Sequence, residues 1–228
     1  MIDVSIILPI YNQQSHIEII CENYIQRLVE ENINYEILFI VNGSHDESFE
    51  KCQNMQQKYE GIKAFNISES GWGRSVKYGI DKAEGKLICY TNSARTNIKD
   101  IITCIKYSNI DFKTVVKSNR IIRENFLRRL GSVIYNFENR YFFNTAIWDV
   151  NATPKVFPKD IIKSFNILSF NDLIDAELMA RCRKLNITTI EVPIYMTERI
   201  SGKSTTNIMS ALKMYTGLIS LKRKLDHE

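Results

Sequence analysis

The residues of this 228-residue chain best equipped for chemistry fall into two groups. One group follows short apolar runs: Pro9, Tyr11 and Asn12 in PIYNQQ, Asn42 and Ser44 in NGSHDES, Arg74 in SESGWGRS, and Asn92, Ser93 and Arg95 in TNSART. A tyrosine ring can stack on a flat base, and an asparagine amide offers both a donor and an acceptor to the edge of one. A guanidinium can bridge two phosphate oxygens. The second group comes late: Asp175 in DAEL, then Arg199, Lys203 and Ser204 in RISGKS. A carboxylate can take a proton from a hydroxyl held within about 3 Å of it. Each residue also has a plainer reading. NGS is an ordinary strand-to-helix turn with Ser44 as N-cap, each arginine suits an exposed ion pair, and Asp175 and Glu177 suit the positive end of a helix.

Those side chains need a frame to converge. VSIILPI, YEILFIV, IKAFNI and KLICYT have the length and composition of buried strands. Between them lie helical patterns. Ile17, Ile20, Cys21, Tyr24 and Leu28 recur at a spacing near 3.6, after a capping box of Ser15 and Glu18. Another helix is expected from about Trp72 to Ala83, closed by Gly85. GWGRS has only Gly71 and Gly73 before the helix, so it does not match the dinucleotide-binding pattern. It implies close approach of backbone to a ligand or a neighbouring loop, with Trp72 packing. The second half runs from the basic stretch KSNRIIRENFLRRL into a helix ending near Phe143. IWDVNATPKVF follows, then a helix around FNDLIDAELMARCRKLN, the strand TTIEVPIYM, the loop TERISGKSTTN and a last helix. Strands alternating with helices predict an α/β fold whose single, largely parallel sheet is flanked by helices, with the binding crevice at the carboxyl ends of the strands. No repeat or linker divides the chain, so residues 1–228 are read as one domain.

Composition agrees with a folded globular chain: 44% apolar, 25% charged, net charge +4. That charge suits a phosphate-bearing ligand or an anionic lipid surface and is too small to argue for nucleic acid, so no nucleic-acid partner is expected. The five cysteines lack metal-ligand spacing and sit as small core residues, which favours a reducing, cytoplasmic setting. MIDVSIILPI has an acid where a secretion signal would be basic, and no apolar run reaches the roughly 18 to 20 residues of a membrane span. A membrane would be met at its inner face. Lys117, Arg120, Arg123, Arg128 and Arg129 form the densest cationic cluster, and Ile208, Leu212, Tyr215 and Ile219 fall along one face of the last helix. The same features also suit a solvated face and a core stripe.

SIILPIYNQ, EILFIVNGSHDES, GWGRSVKYGIDKAEGKLICYTNSA, IWDVNATPKVF, DAELMARC, IEVPI and RISGKS occur in an order and spacing that resemble family 2 glycosyltransferases. The likeness is greatest to the branch of dolichyl-phosphate mannosyltransferases and polyprenyl-phosphate sugar transferases. It implies a GT-A fold, a nucleotide-diphospho-sugar donor, inverting transfer to a lipid-phosphate or glycan acceptor, nucleotide contacts in about residues 1–110 and acceptor contacts in about 111–228. Asp175 takes the place of the late acidic residue and is the candidate catalytic base, and RISGKS that of a late phosphate-contacting loop. Two departures stand out. Val41-Asn42 replaces paired aspartates, and Asn92-Ser93-Ala94 replaces the Asp-x-Asp motif that holds Mg or Mn against the donor diphosphate. With carboxylates missing at Asn92 and Ala94, the resemblance leaves room for basic side chains in place of the metal, and for a second reading as an inactive nucleotide-binding partner subunit.

Overall fold

The computed structural model describes residues 1–111, 113–122, 126–195 and 208–227. The first half alternates β1 (Val4–Ile10), α1 (Ile17–Glu30), β2 (Tyr35–Asn42), α2 (Ser48–Lys58), β3 (Ile62–Ile67), α3 (Trp72–Lys82), β4 (Leu87–Tyr90) and α4 (Ile98–Ser108). The second half comprises β5 (Val115–Ile122), α5 (Phe126–Phe143), β6 (Lys155–Pro158), α6 (Lys159–Lys163), α7 (Ile174–Lys184), β7 (Thr189–Tyr195) and α8 (Ile208–Asp226). The seven strands form one sheet in the order β3-β2-β1-β4-β6-β5-β7. Only β6 runs against its neighbours.

The apolar runs become strands because the sheet is covered on both sides. In β1, Val4, Ile6, Leu8 and Ile10 pack towards α1, α2 and α4, while Ile7 packs towards α3, α7 and α8. All seven residues of β1 are buried. Each large aliphatic side chain removed from water contributes roughly 1.5–3 kcal/mol. From β1 the chain moves outward to β2 and β3, then returns to β4 on the other side of β1. The loops leaving β1 and β4 therefore diverge, and a crevice opens at the carboxyl ends of these strands.

Four local expectations are corrected. The cap position of α1 falls on His16 rather than Ser15, because the helix starts at Ile17; the Ser15 hydroxyl lies 3.4 Å from His16 Nδ1. Ser44 is not an N-cap, because α2 starts only at Ser48. Gly85 does not close α3, which ends at Lys82 before an extended Ala83. A Cβ on Gly85 would lie 2.6 Å from the Ser5 amide nitrogen, so the glycine lets the chain enter β4 against β1. Finally, KSNRII belongs to β5 rather than to the approach of a helix, and its Lys117 is wholly buried.

Candidate active site

A cleft of about 200 Å³ opens at this edge of the sheet, lined by residues that include Asn92, Arg95, Arg120, Asn151, Asp172 and Asp175. β4 delivers its turn into one wall. Asn92 Oδ1 accepts from the Ala94 amide at 3.1 Å, and the Arg95 amide donates to Asn92 O at 3.1 Å. The buried Ser93 hydroxyl donates to Gln13 Oε1 at 2.7 Å, and the Thr91 and Thr96 hydroxyls meet at 2.6 Å. The turn is thus pinned to the loop after β1 with Arg95 at the cleft.

This donor set does not suit a divalent cation. Hard cations need several oxygen ligands, preferably charged. Here the Asn92 oxygen is used within its own turn, the Ser93 hydroxyl is given away, and Ala94 has no ligand atom. Among the described residues no group of three or more His, Cys, Asp or Glu is placed to hold a metal.

Opposite the turn, the first turn of α7 supplies Asp175, which is buried. Its Oδ1 accepts from the Tyr90 hydroxyl at 2.8 Å and from Lys155 Nζ, and its Oδ2 accepts from Trp72 Nε1 at 3.0 Å. Four elements therefore converge on one carboxylate: β4, β6, α3 and α7. Lys155 stands directly across from Tyr90 in the antiparallel pairing of β4 and β6, which places the ammonium beneath the cleft. Burial pushes the Lys155 ammonium down to about 8, with Asp175 opposing the shift, and burial raises the Tyr90 phenol.

Glycine makes this convergence possible. A Cβ on Gly73 would lie 2.2 Å from Asn171 O and 2.8 Å from Asn171 N, so only a bare α-carbon lets α3 touch the loop before α7. The same loop is fixed from below by Glu177. Its two oxygens accept from the Leu168 and Ser169 amides at 2.8 and 2.7 Å, and Arg181 Nε donates to Oε1 at 2.9 Å.

The third wall comes from β5. Arg120 Nε and Nη2 each donate at 2.7 Å to the two oxygens of Asp149, a bidentate pair that aims the guanidinium at the cleft. Below it Lys117 donates to Ser118 O, Asp149 O and Glu191 Oε1 at 2.6–2.9 Å. Glu191 in turn accepts from the Trp148 and Asp149 amides. These contacts occupy Lys117 and Arg120, which the sequence places in an exposed cationic cluster. Arg123 lies outside the described residues.

Of the candidate site residues, Asn92, Arg95 and Asp175 line the cleft and Ser93 supports it. The others are placed differently. Asn42 is buried with its amide engaged at both ends: Nδ2 donates to Ile10 O at 2.8 Å and Oδ1 accepts from the Gly71 amide at 3.1 Å. Asn12 accepts from the His45 amide at 2.9 Å while its own amide donates to the Ser44 hydroxyl at 3.1 Å, so these two residues fasten the loops after β1 and β2 together. Pro9 is internal to β1, and Tyr11 is exposed on the loop beyond it. Arg74 pairs with Glu69 and lies 5.7 Å from the Phe170 ring centre, away from the cleft lining. Arg199, Lys203 and Ser204 lie outside the described residues. Sequence reasoning missed Trp72 as a donor to Asp175, and it missed Lys155 altogether. A single lysine between Pro154 and the apolar VF is the available signal for a buried, paired charge.

Residues 5–163 match the family model described as glycosyl transferase family 2. The chain belongs to glycosyl transferase family 2. Similar proteins include the cholesterol galactosyltransferase of Borreliella burgdorferi, 22% identical over 75% of this chain and 53% of its own. They also include the undecaprenyl-phosphate 4-deoxy-4-formamido-L-arabinose transferase of Aeromonas hydrophila, 20% identical over 95% of this chain and 67% of its own. This family 2 chain thus spans about half the length of the first of these relatives. Among solved structures, glucosyl-3-phosphoglycerate synthase from Mycobacterium tuberculosis, in complex with Mn2+, UDP and glucosyl-3-phosphoglycerate, superposes with a TM-score of 0.72 at 13% identity. It covers 96% of this chain and 78% of its own. The fold is GT-A.

Proposed function

We propose that this chain transfers a sugar from a nucleotide-diphospho-sugar to a lipid-phosphate or glycan acceptor with inversion at the anomeric carbon. One observation carries the reading: cationic Arg95 and Arg120 line the same cleft as the anchored carboxylate Asp175, at the carboxyl edge of β4. In inverting transfer the departing diphosphate gathers negative charge, and preorganised cations in a partly dry site stabilise it. Arg95 and Arg120 supply that charge here. One relative, named for an undecaprenyl-phosphate, supports a lipid-phosphate acceptor, and another, named for cholesterol, supports a lipid setting for the acceptor.

The surface of α5 supports an acceptor held at a membrane. Leu130, Val133, Ile134, Phe137 and Tyr141 form an outward apolar stripe, with Phe137 65% and Tyr141 77% exposed. Trp148 is 65% exposed beside it, with the Arg140 guanidinium 4.5 Å from its ring centre. Aromatic rings and cations around an apolar stripe suit the headgroup region of a bilayer. Among the described residues no helix is long and apolar enough to cross one.

Calorimetric titration with UDP, GDP and their sugars, followed by donor turnover in EDTA, tests the proposal. The expected result is donor binding, release of free sugar, and a rate unchanged by the chelator. Activity lost to EDTA and restored by manganese refutes the substitution of arginines for the metal. Failure to bind any donor refutes sugar transfer and favours a partner subunit.

A further inference from the structure

The Asp175 carboxylate is already engaged on both oxygens. Its Oδ1 already accepts from Tyr90 and Lys155, and its Oδ2 from Trp72. A carboxylate has about four lone-pair directions, so little of this one remains for a substrate proton. Three residues earlier, Asp172 lines the same cleft, half-buried, and forms no hydrogen bond or ion pair among the described residues. Nearby, Asn151 Oδ1 is buried in the cleft lining without a partner among the described residues, a polar atom placed for a ligand.

We infer that Asp172 accepts the proton of an attacking hydroxyl, which makes the acceptor group an alcohol, of a sugar or a lipid, rather than a phosphate. The inference rests on the sugar-transfer reading above. In the step, the acceptor oxygen bonds to the anomeric carbon and the bond from that carbon to the diphosphate oxygen breaks. Its electron pair leaves with the nucleotide diphosphate, and the hydroxyl proton passes to the Asp172 carboxylate. A phosphate acceptor is already anionic and needs no such group.

The surroundings of Asp172 suit the task. Burial, then the neighbouring charge of Asp175, raises its carboxyl above the usual range, which makes it a better proton acceptor. The charged groups around it are Asp175 on α7, Arg95 after β4 and Arg120 on β5, with Lys155 on β6 behind Asp175. The Tyr135 phenol on α5 is close enough to feel both carboxylates. Asn171 fixes the backbone, its Oδ1 accepting from the Leu173 amide at 3.0 Å.

The test compares the full chain with its D172N and D175N variants. Tritiated UDP-glucose, UDP-galactose and GDP-mannose serve as donors, offered to vesicles carrying cholesterol, to vesicles carrying undecaprenyl phosphate, and to water alone. The expected result is label moving to cholesterol or water, a loss of about 10²- to 10⁴-fold in D172N, and unchanged UDP binding and thermal melting in that variant. The wild-type rate should fall as pH drops through the raised Asp172 value, and D172N should lack that limb. Label moving to undecaprenyl phosphate, with D172N within threefold of wild type, overturns the inference and leaves sugar transfer standing. A wild-type chain that neither binds nor consumes any donor overturns both.

Discussion

Replacing Gly73 with alanine should injure the cleft more than the fold. The new Cβ would sit 2.2 Å from Asn171 O, where ordinary contact begins near 3.4 Å, so α3 or the loop must retreat by about 1 Å. Both obstructing atoms of Asn171 are backbone, and no rotamer change relieves them. Overpacking of this kind costs roughly 1–3 kcal/mol, which for a domain of this size lowers Tm by about 2–4 °C per kcal/mol. The effect on turnover should be larger. Trp72 lies on one side of the contact and Asp172 and Asp175 on the other, and a displacement of about 1 Å at reacting groups can cost on the order of 10²-fold in rate. Donor turnover, UDP titration and thermal melting measured together separate these effects. Gly79→Ala is the comparison: its Cβ would fall 2.3 Å from Ile7 Cγ2, inside the core and away from the cleft lining, so it should lower Tm while sparing the ratio of turnover to folded protein. If G73A melts and turns over like wild type, close packing of α3 on the loop does not position the carboxylates.

Three further outcomes are expected. Lys155→Met removes the cation from a buried pair and should cost about 3–5 kcal/mol in urea unfolding, with part recovered in the K155M/D175N double variant. Burial raises the Glu36 carboxyl, but the Ser5 hydroxyl, the Glu84 amide and Lys63 more than reverse this and leave it below 4.5. A lowered folded value means stability that is full above 4.5 and lost as pH falls through the lower value, so stability curves of E36Q should be flatter in acid. Phe137→Glu should abolish flotation with anionic vesicles while leaving UDP binding intact; unchanged flotation assigns the α5 stripe to something other than lipid.

The parallel half of the sheet was legible because β1, β2 and β4 are buried on both faces and read as largely apolar runs, while β3, at the sheet edge with only Ile62 buried, follows from its length and its place between two helices. VSIILPI, YEILFIV, IKAFNI and KLICYT all became strands. β5 was not legible: Lys117, Asn119 and Arg120 break the apolar pattern, and the partners of Lys117 and Arg120, Glu191 and Asp149, lie far along the chain. Charge read from sequence looks exposed until its partner is known. The candidate cleft was legible to the extent that strand order fixes it, since Asn92, Arg95 and Asp175 line it together. For Asn42 and Asn12 the sequence did not show the internal partners, because an amide that suits a base edge equally suits a backbone amide, and two adjacent loops supply such amides here. On the last helix, Tyr215 packs against the core while Ile219 is 46% exposed, and Leu218, Leu221 and Leu225 are buried; the side chains of Ile208 and Leu212 lie outside those described.

A strand that follows the direction of its neighbours presents its last residue to the substrate edge, and everything after that residue is free loop. β6 does the reverse: its first residue, Lys155, reaches the edge, and the residues after it are paired along β4, Val156 with β5 as well. Variation on this side of the cleft is therefore confined to the segment that enters β6, which carries Asn151 and Thr153 into the lining. That segment is an exchangeable cassette. A stretch taken from a relative and ended before Pro154 could redraw the wall that meets the acceptor, while the charge beneath Asp175 stays where the sheet holds it.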